Sequence, residues 1–441
     1  MASNNVQPTG KDFSLAIVGG GICGLTLAIA LAKAGIPSNV FEAAHKYGEI
    51  GAGIGVGCNA VRVLEELGLA RDVAAKSESS SDSADGSGHH AAMKSFKFVR
   101  GEAPHEIIFD YPEGPTDEGL GLHRASFLEA LAGNIDRSMI TEHFKKRCTS
   151  IQKMGSGRTL LVFSDGTTHE TDVVIGADGL KSTVRRFVLG LPEGARDESL
   201  VFTRTAAYRG LVPIEELKAA GAKTDFLQSL CWFGEDKHLI TFPIRDNKIL
   251  NIVAFTTDFS RPMEYEGNPQ EWVKDVPQAE MLKDFEGWGP EVQAMLNGIK
   301  NPSKWSIHAL YPTIDKYVAG KVALIGDAAH ATLPHLGGGA GCGIEDAYVL
   351  ARLLANPQTN AANVEAVLEA YQTVRVPRGS YTANQSKFAG DAYEGHGPSG
   401  PTDEGRMKDF SKLWEEIWRH DLRQELRVAE GALIARGAFT S

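Results

Sequence analysis

Residues 14–42 read SLAIVGGGICGLTLAIALAKAGIPSNVFE. A short apolar run at 14–18 meets Gly19-Gly20-Gly21, an Ala- and Leu-rich stretch spans 24–35, and a second β-prone run occupies 38–42. That order predicts strand, tight turn, helix and strand, a βαβ opening. The glycines follow the spacing Gly19-x-Gly21-x-x-Gly24. Gly19 permits the turn, Gly21 lets backbone N–H groups approach a pyrophosphate, and Gly24 allows close helix–strand packing. Glu42 closes the second strand, where a carboxylate accepts from both ribose hydroxyls and disfavours a 2′-phosphate. The stretch predicts a dinucleotide site for FAD or NAD rather than NADP. A glycine turn that only packs would not account for Glu42. A transmembrane reading of 13–36 fails on the glycines at its centre.

Outward from this unit, the 441 residues carry a net charge of −11, which argues against nucleic acid or an anionic membrane as the main partner. The 48 glycines are more than average usage gives, without the three-residue period of collagen. Five scattered cysteines (Cys23, Cys58, Cys148, Cys231, Cys342) contain no C-x-x-C pair, so reduced thiols are expected rather than a disulfide framework or structural zinc. The first residues lack a basic segment followed by an apolar core. A soluble, cytoplasmic protein is the expectation.

Two further segments resemble the first in punctuation. DVVIGADGLKSTVR takes an apolar strand into Asp178-Gly179 and a helix start, which reads equally as an N-cap turn or a ligand site. KVALIGDAAHATLPHLGGGAGCGIEDA takes another into Gly326-Asp327, then Pro334 and the glycines 337, 338, 339, 341 and 343 before a helix. Small residues around a helix N-terminus expose N–H donors to an anion, and Asp327 can accept from a polyol hydroxyl. Metal binding by Asp327, His330 and His335 is the competing reading, but glycine-rich flanks do not fix ligands. Between them, the hairpin pattern of 159–174 has an Asp-Gly turn, and alternating runs from about 200 to 256 predict a separate antiparallel sheet. Residues 269–296 and 404–435 read as helical, and the polar stretch 76–90 as a mobile loop.

Together the three segments resemble the group A flavoprotein aromatic monooxygenases, the para-hydroxybenzoate hydroxylase-like family, over residues 13–375. FEAAHKYGEIGAGIGVGCNAVRVLEELGL, HRASFLEAL, TAAYRG, HLITFPIRDNKILNIVAF and WSIHAL are similar to its salicylate hydroxylase branch. The resemblance implies an α/β fold: a Rossmann-type FAD-binding domain, an inserted antiparallel-sheet substrate domain and a helical C-terminus. The expected bounds are 1–195 and 301–385 for the first, 196–300 for the second and 386–441 for the last. It further implies that Gly19, Gly21, Gly24 and Glu42 hold the FAD adenosine and pyrophosphate, and that Arg124 lies near its phosphates and ribityl chain. Asp178 is then near FAD and reduced nicotinamide, Asp327 on the ribityl hydroxyls, and Pro334, Gly337, Gly338, Gly339 and Ala340 against the isoalloxazine.

In that family NADH or NADPH reduces the flavin, and O2 then forms a C4a-hydroperoxide that attacks an electron-rich aromatic carbon. Candidates around the substrate are Arg245, able to pair a carboxylate bidentately, His308, in the pKa range to take a phenolic proton, and Arg209. A surface Arg or a core His is the bland alternative at each. The expected reaction is decarboxylative hydroxylation of salicylate to catechol, by a monomer or homodimer needing no metal. Hydroxylation or dearomatisation of another phenol, and an NAD-dependent dehydrogenase without flavin, are the alternatives.

Overall fold

The computed structural model describes residues 10–48, 53–78, 92–93, 96–112, 114, 118–245, 247–264 and 271–441. Strand Leu15–Val18 runs into helix Ile22–Lys33 and strand Ser38–Phe41, the expected βαβ opening. These two strands pair in parallel and sit inside a six-stranded sheet with Ile140–His143, Val173–Gly176, Val322–Leu324 and Val318–Ala319. Leu15–Val18 is buried throughout, as befits a strand covered on both faces. The predicted hairpin forms at Thr159–Phe163 and Thr168–Thr171, in a small sheet of its own, before the chain enters Val173–Gly176.

An eight-stranded sheet forms the second layer. Its order is Val273–Asp275, Ser303–Leu310, Leu200–Pro213, Ile249–Thr257, Lys237–Ile244, Ser229–Phe233, Phe96–Arg100 and Ile107–Asp110. It is antiparallel except where Ser229–Phe233 meets Phe96–Arg100. The sheet thus draws strands from before residue 196 and after residue 300, because antiparallel neighbours need proximity in space and not in sequence.

Helical expectations differ in detail. Residues 273–275 are an edge strand, and helices Gln278–Asp284 and Pro290–Gly298 follow it. The 404–435 segment divides into Asp403–Phe410, Glu415–Trp418 and Leu422–Ala435. Phe410, Leu413, Trp414 and Ile417 are all buried, packed with Phe96, Phe98 and Tyr111 of the large-sheet side. Ahead of these helices runs Val364–Tyr393, a 30-residue helix that carries Pro377 in its interior and crosses the expected boundary at 385. Most of the polar stretch 76–90 lies outside the described residues, although helix Ala70–Glu78 reaches into it. Among the described residues no disulfide forms, and no helix is long and apolar enough to cross a membrane.

Candidate active site

Three parallel strands end side by side: Val18 pairs with Gly176, and Gly176 with Leu324. Their C-terminal ends bring Gly19, Asp178 and Asp327 to one rim, where open α/β sheets bind ligands. All three line a cavity of about 480 Å3 whose wall extends to the large sheet.

At the rim, Gly19 holds φ +109°, and a Cβ on Gly24 would overlap the Gly19 carbonyl, so the helix packs directly on the turn. A Cβ on Gly21 would instead enter open space beside the cavity. Gly21 caps helix Ile22–Lys33 without a side-chain hydrogen bond or an acidic residue in the first turn. Helix Gly339–Ala355 begins in the same way behind Gly338. Gly337, Gly339 and Ala340 line the cavity, whereas Gly338 packs towards Thr382. Two helix N-termini built from small residues suit a pyrophosphate.

Glu42 accepts the Gly20 N–H on one carboxylate oxygen (2.8 Å) and the Ala44 N–H on the other (2.7 Å). Each oxygen keeps a further lone pair for a ribose hydroxyl. Asp178 accepts from the Ser182 hydroxyl and from the N–H groups of Thr183 (2.7 Å) and Val184 (3.1 Å), so it both caps helix Thr183–Val188 and lines the cavity. Burial raises its carboxyl. Asp327, exposed at the start of helix Asp327–His330, lines the cavity with Arg124 and Pro334. This acceptor set and the open cradle at Gly21 fit FAD.

The opposite wall is the large sheet. Alternate residues on neighbouring strands point the same way, and Ile240 and Phe242, then Asn251, Val253 and Phe255, then Arg209, all line the cavity. Arg209 carries its guanidinium 4.8 Å from the Trp305 ring centre, and its buried Nε has no hydrogen-bond partner. Burial, aided by Arg124, pulls its pKa down to about 10.

Of the three substrate-side candidates, only Arg209 is at this wall. Trp305 and Ile307 pack with the cavity-face residues Val253 and Phe255, so alternation turns His308 to the other face. There it stacks on Trp272 (3.5 Å between ring centres), and its Nδ1 meets the Ser306 carbonyl. Arg245 lies beyond the strand end in an exposed turn with φ +51°. Nor do Asp327, His330 and His335 converge as metal ligands. His330 bonds Asp346, which Arg375 also holds, while His335 turns to His238.

His335 is a cavity residue the sequence presents only as a metal candidate. Its Nδ1 lies 3.3 Å from His238 Nε2, and His238 Nδ1 lies 2.8 Å from Glu394. All three are buried. Burial pulls both histidines down to about 3 and pushes Glu394 up to about 7. The signal for His238 was its strand alternation with Ile240 and Phe242. Burial also raises the Cys148 thiol to about 12 and Cys23 well above its ordinary value, so neither cavity cysteine is a ready nucleophile.

Fold and rim together define a protein that holds FAD: residues 12–386 match the FAD binding domain family, and the chain belongs to it. Two salicylate hydroxylases of Pseudomonas putida are 37% and 38% identical to it, over 95% and 98% of this chain and 95% and 96% of their own. A solved salicylate hydroxylase substrate complex is 33% identical with a TM-score of 0.81, covering 95% of this chain and 98% of that one. The chain is an FAD-dependent aromatic monooxygenase of the salicylate hydroxylase type.

Proposed function

We propose that the chain converts salicylate, or a close ortho-hydroxybenzoate, to a catechol. NADH or NADPH and O2 are consumed, and CO2 and water are released. The observation that carries this reading is the half-buried Arg209, its buried Nε unpartnered, in a wall that Ile240, Phe242, Val253 and Phe255 make mainly apolar and to which Asn251 adds one amide. A planar aromatic ring with one anionic substituent matches a largely desolvated cation in a mainly apolar slot.

Glu42, Asp178, Asp327 and the two helix N-termini would hold FAD, which supplies the oxygen-activating chemistry when bound. The chain's own task is to orient the acid and keep water out. Arg209 anchors the carboxylate. Glu394, His238 and His335 form one hydrogen-bonded chain, which holds the His335 ring in place at the cavity wall. Phe242 and Phe255 exclude water from the ring.

The test is catechol formation by chromatography, with NADH oxidation and O2 uptake measured in parallel. Stoichiometric catechol is the expected result. Salicylate-stimulated peroxide release without catechol would make salicylate an effector and assign the cavity to another phenol.

A further inference from the structure

Asn251 combines three features that none of the roles above uses. It is 3% exposed, it lines the cavity, and its Nδ2 is buried without a hydrogen-bond partner. Its orientation is not free. The Gly53 N–H donates to Oδ1 at 3.0 Å, and a donor can be met only by the carbonyl end of the amide. The NH2 end is therefore fixed as the side offered to whatever enters. A buried donor left unpaired is costly, which makes an acceptor oxygen the ligand chemistry this position demands.

The neighbouring strand supplies the second half. Asn251 stands opposite Leu211, and Arg209 opposite Val253, so Asn251 and Arg209 are diagonal neighbours on one face. Diagonal pairs lie about 7–8 Å apart at Cα, within reach of one small ligand for long side chains. Across the other strand Asn251 pairs with Phe242, which puts an aromatic ring beside the donor.

We propose that Asn251 is a specificity-determining residue: its fixed amide N–H2 donates to the carboxylate of the aromatic acid that Arg209 anchors. The assignment rests on the aromatic-acid reading above. It predicts discrimination for an acid over the matching aldehyde, because an anionic oxygen makes the stronger acceptor. The carbonyl oxygens of FAD share that acceptor chemistry, and the experiment separates the two sources.

The experiment compares FAD-bound wild type with Asn251→Asp and Asn251→Leu. Titrations of salicylate and salicylaldehyde are followed by flavin absorbance, and FAD affinity by flavin fluorescence. Asn251→Asp keeps the oxygen that Gly53 needs but replaces the donor with an oxygen that competes for Arg209. The expected result is a rise of at least tenfold in the salicylate Kd in both variants, with salicylaldehyde changed less than threefold and FAD affinity unchanged. Should Asn251→Leu fail to fold, Asn251→Asp decides alone. An unchanged salicylate Kd overturns the assignment, and if FAD affinity falls instead, the acceptor is on the flavin. Wild type that binds neither aromatic overturns the aromatic-acid reading itself, an outcome distinct from a wild type that binds salicylate as well as its variants do.

Discussion

Nδ1 of His335, at the cavity wall, lies 3.3 Å from Nε2 of His238, and the second ring passes the contact on to Glu394 at 2.8 Å. The three groups respond to pH in opposite directions. Both histidines fall from 6.5 to about 3, so their stabilisation is present above pH 6.5 and is lost as pH falls towards 3. Glu394 rises from 4.5 to about 7, so its contribution is present below 4.5 and is lost as pH rises to 7. Between pH 4.5 and 6.5 two histidines oppose one carboxyl, and the trio should lose about 1.4 kcal/mol per pH unit on acidification. Denaturation at pH 5.0 and 6.5 checks this. His238→Gln should reduce the pH slope by roughly the same amount, whereas a slope identical to wild type would show that the buried histidine does not titrate on unfolding.

Arg209 and Arg245 were equivalent candidates in the sequence, and the structure separates them. Arg209→Gln should lower kcat/KM for salicylate by about 100-fold, the loss expected when a buried charge-assisted contact is removed. Arg245→Ala, in an exposed turn, and His308→Gln, on the far face of its strand, should remain within about threefold of wild type. Steady-state kinetics of the three proteins side by side settle the ranking. A larger defect in Arg245→Ala than in Arg209→Gln would reverse it.

The rim of the site was legible because each piece is local: Gly19, Asp178 and Asp327 each follow an apolar strand within a few residues. What joins them is strand pairing, Val18 to Gly176 to Leu324, which spacing alone does not show. The substrate side was legible only in part. Ile240 and Phe242 announce a buried face, but His238 on that face meets Glu394 across 156 positions, and no local pattern records such a partnership. Asn251 was hidden among the apolar residues of its strand. Helix Val364–Tyr393 runs through Pro377 and Gly379, which disfavour a helix locally, and packing against Gly339–Ala355 and Leu422–Ala435 overrides that preference.

That helix also carries a buried ionic cluster. Arg375 donates to Asp346 (2.7 Å), Glu425 (2.7 Å) and Glu345 (3.0 Å), and Arg378 grips both oxygens of Glu345 (2.9 and 2.8 Å). Arg375→Met would leave buried carboxylates short of a cation, at a cost of about 3–5 kcal/mol. Urea denaturation measures it. A loss below about 1 kcal/mol would mean that the carboxylates find protons or other partners at little cost.

The flavin site offers a test that separates packing from recognition. At Gly24 an added Cβ would overlap the Gly19 backbone carbonyl, with no flexible side chain there to move aside. Gly24→Ala should therefore damage the fold itself, giving poor yield and a lowered Tm with or without added FAD. Glu42→Gln is different in kind. Its Oε1 can still accept from a backbone N–H, but the charge is gone and one acceptor becomes a donor facing the Gly20 or Ala44 N–H. A charge-assisted hydrogen bond contributes about 1.5–3 kcal/mol, so FAD should bind about 10- to 100-fold more weakly to a protein that remains folded. Flavin fluorescence titration of apoprotein, alongside thermal denaturation, reads both effects. If Gly24→Ala folds normally and merely loses FAD, Gly24 serves the cofactor's approach more than helix packing.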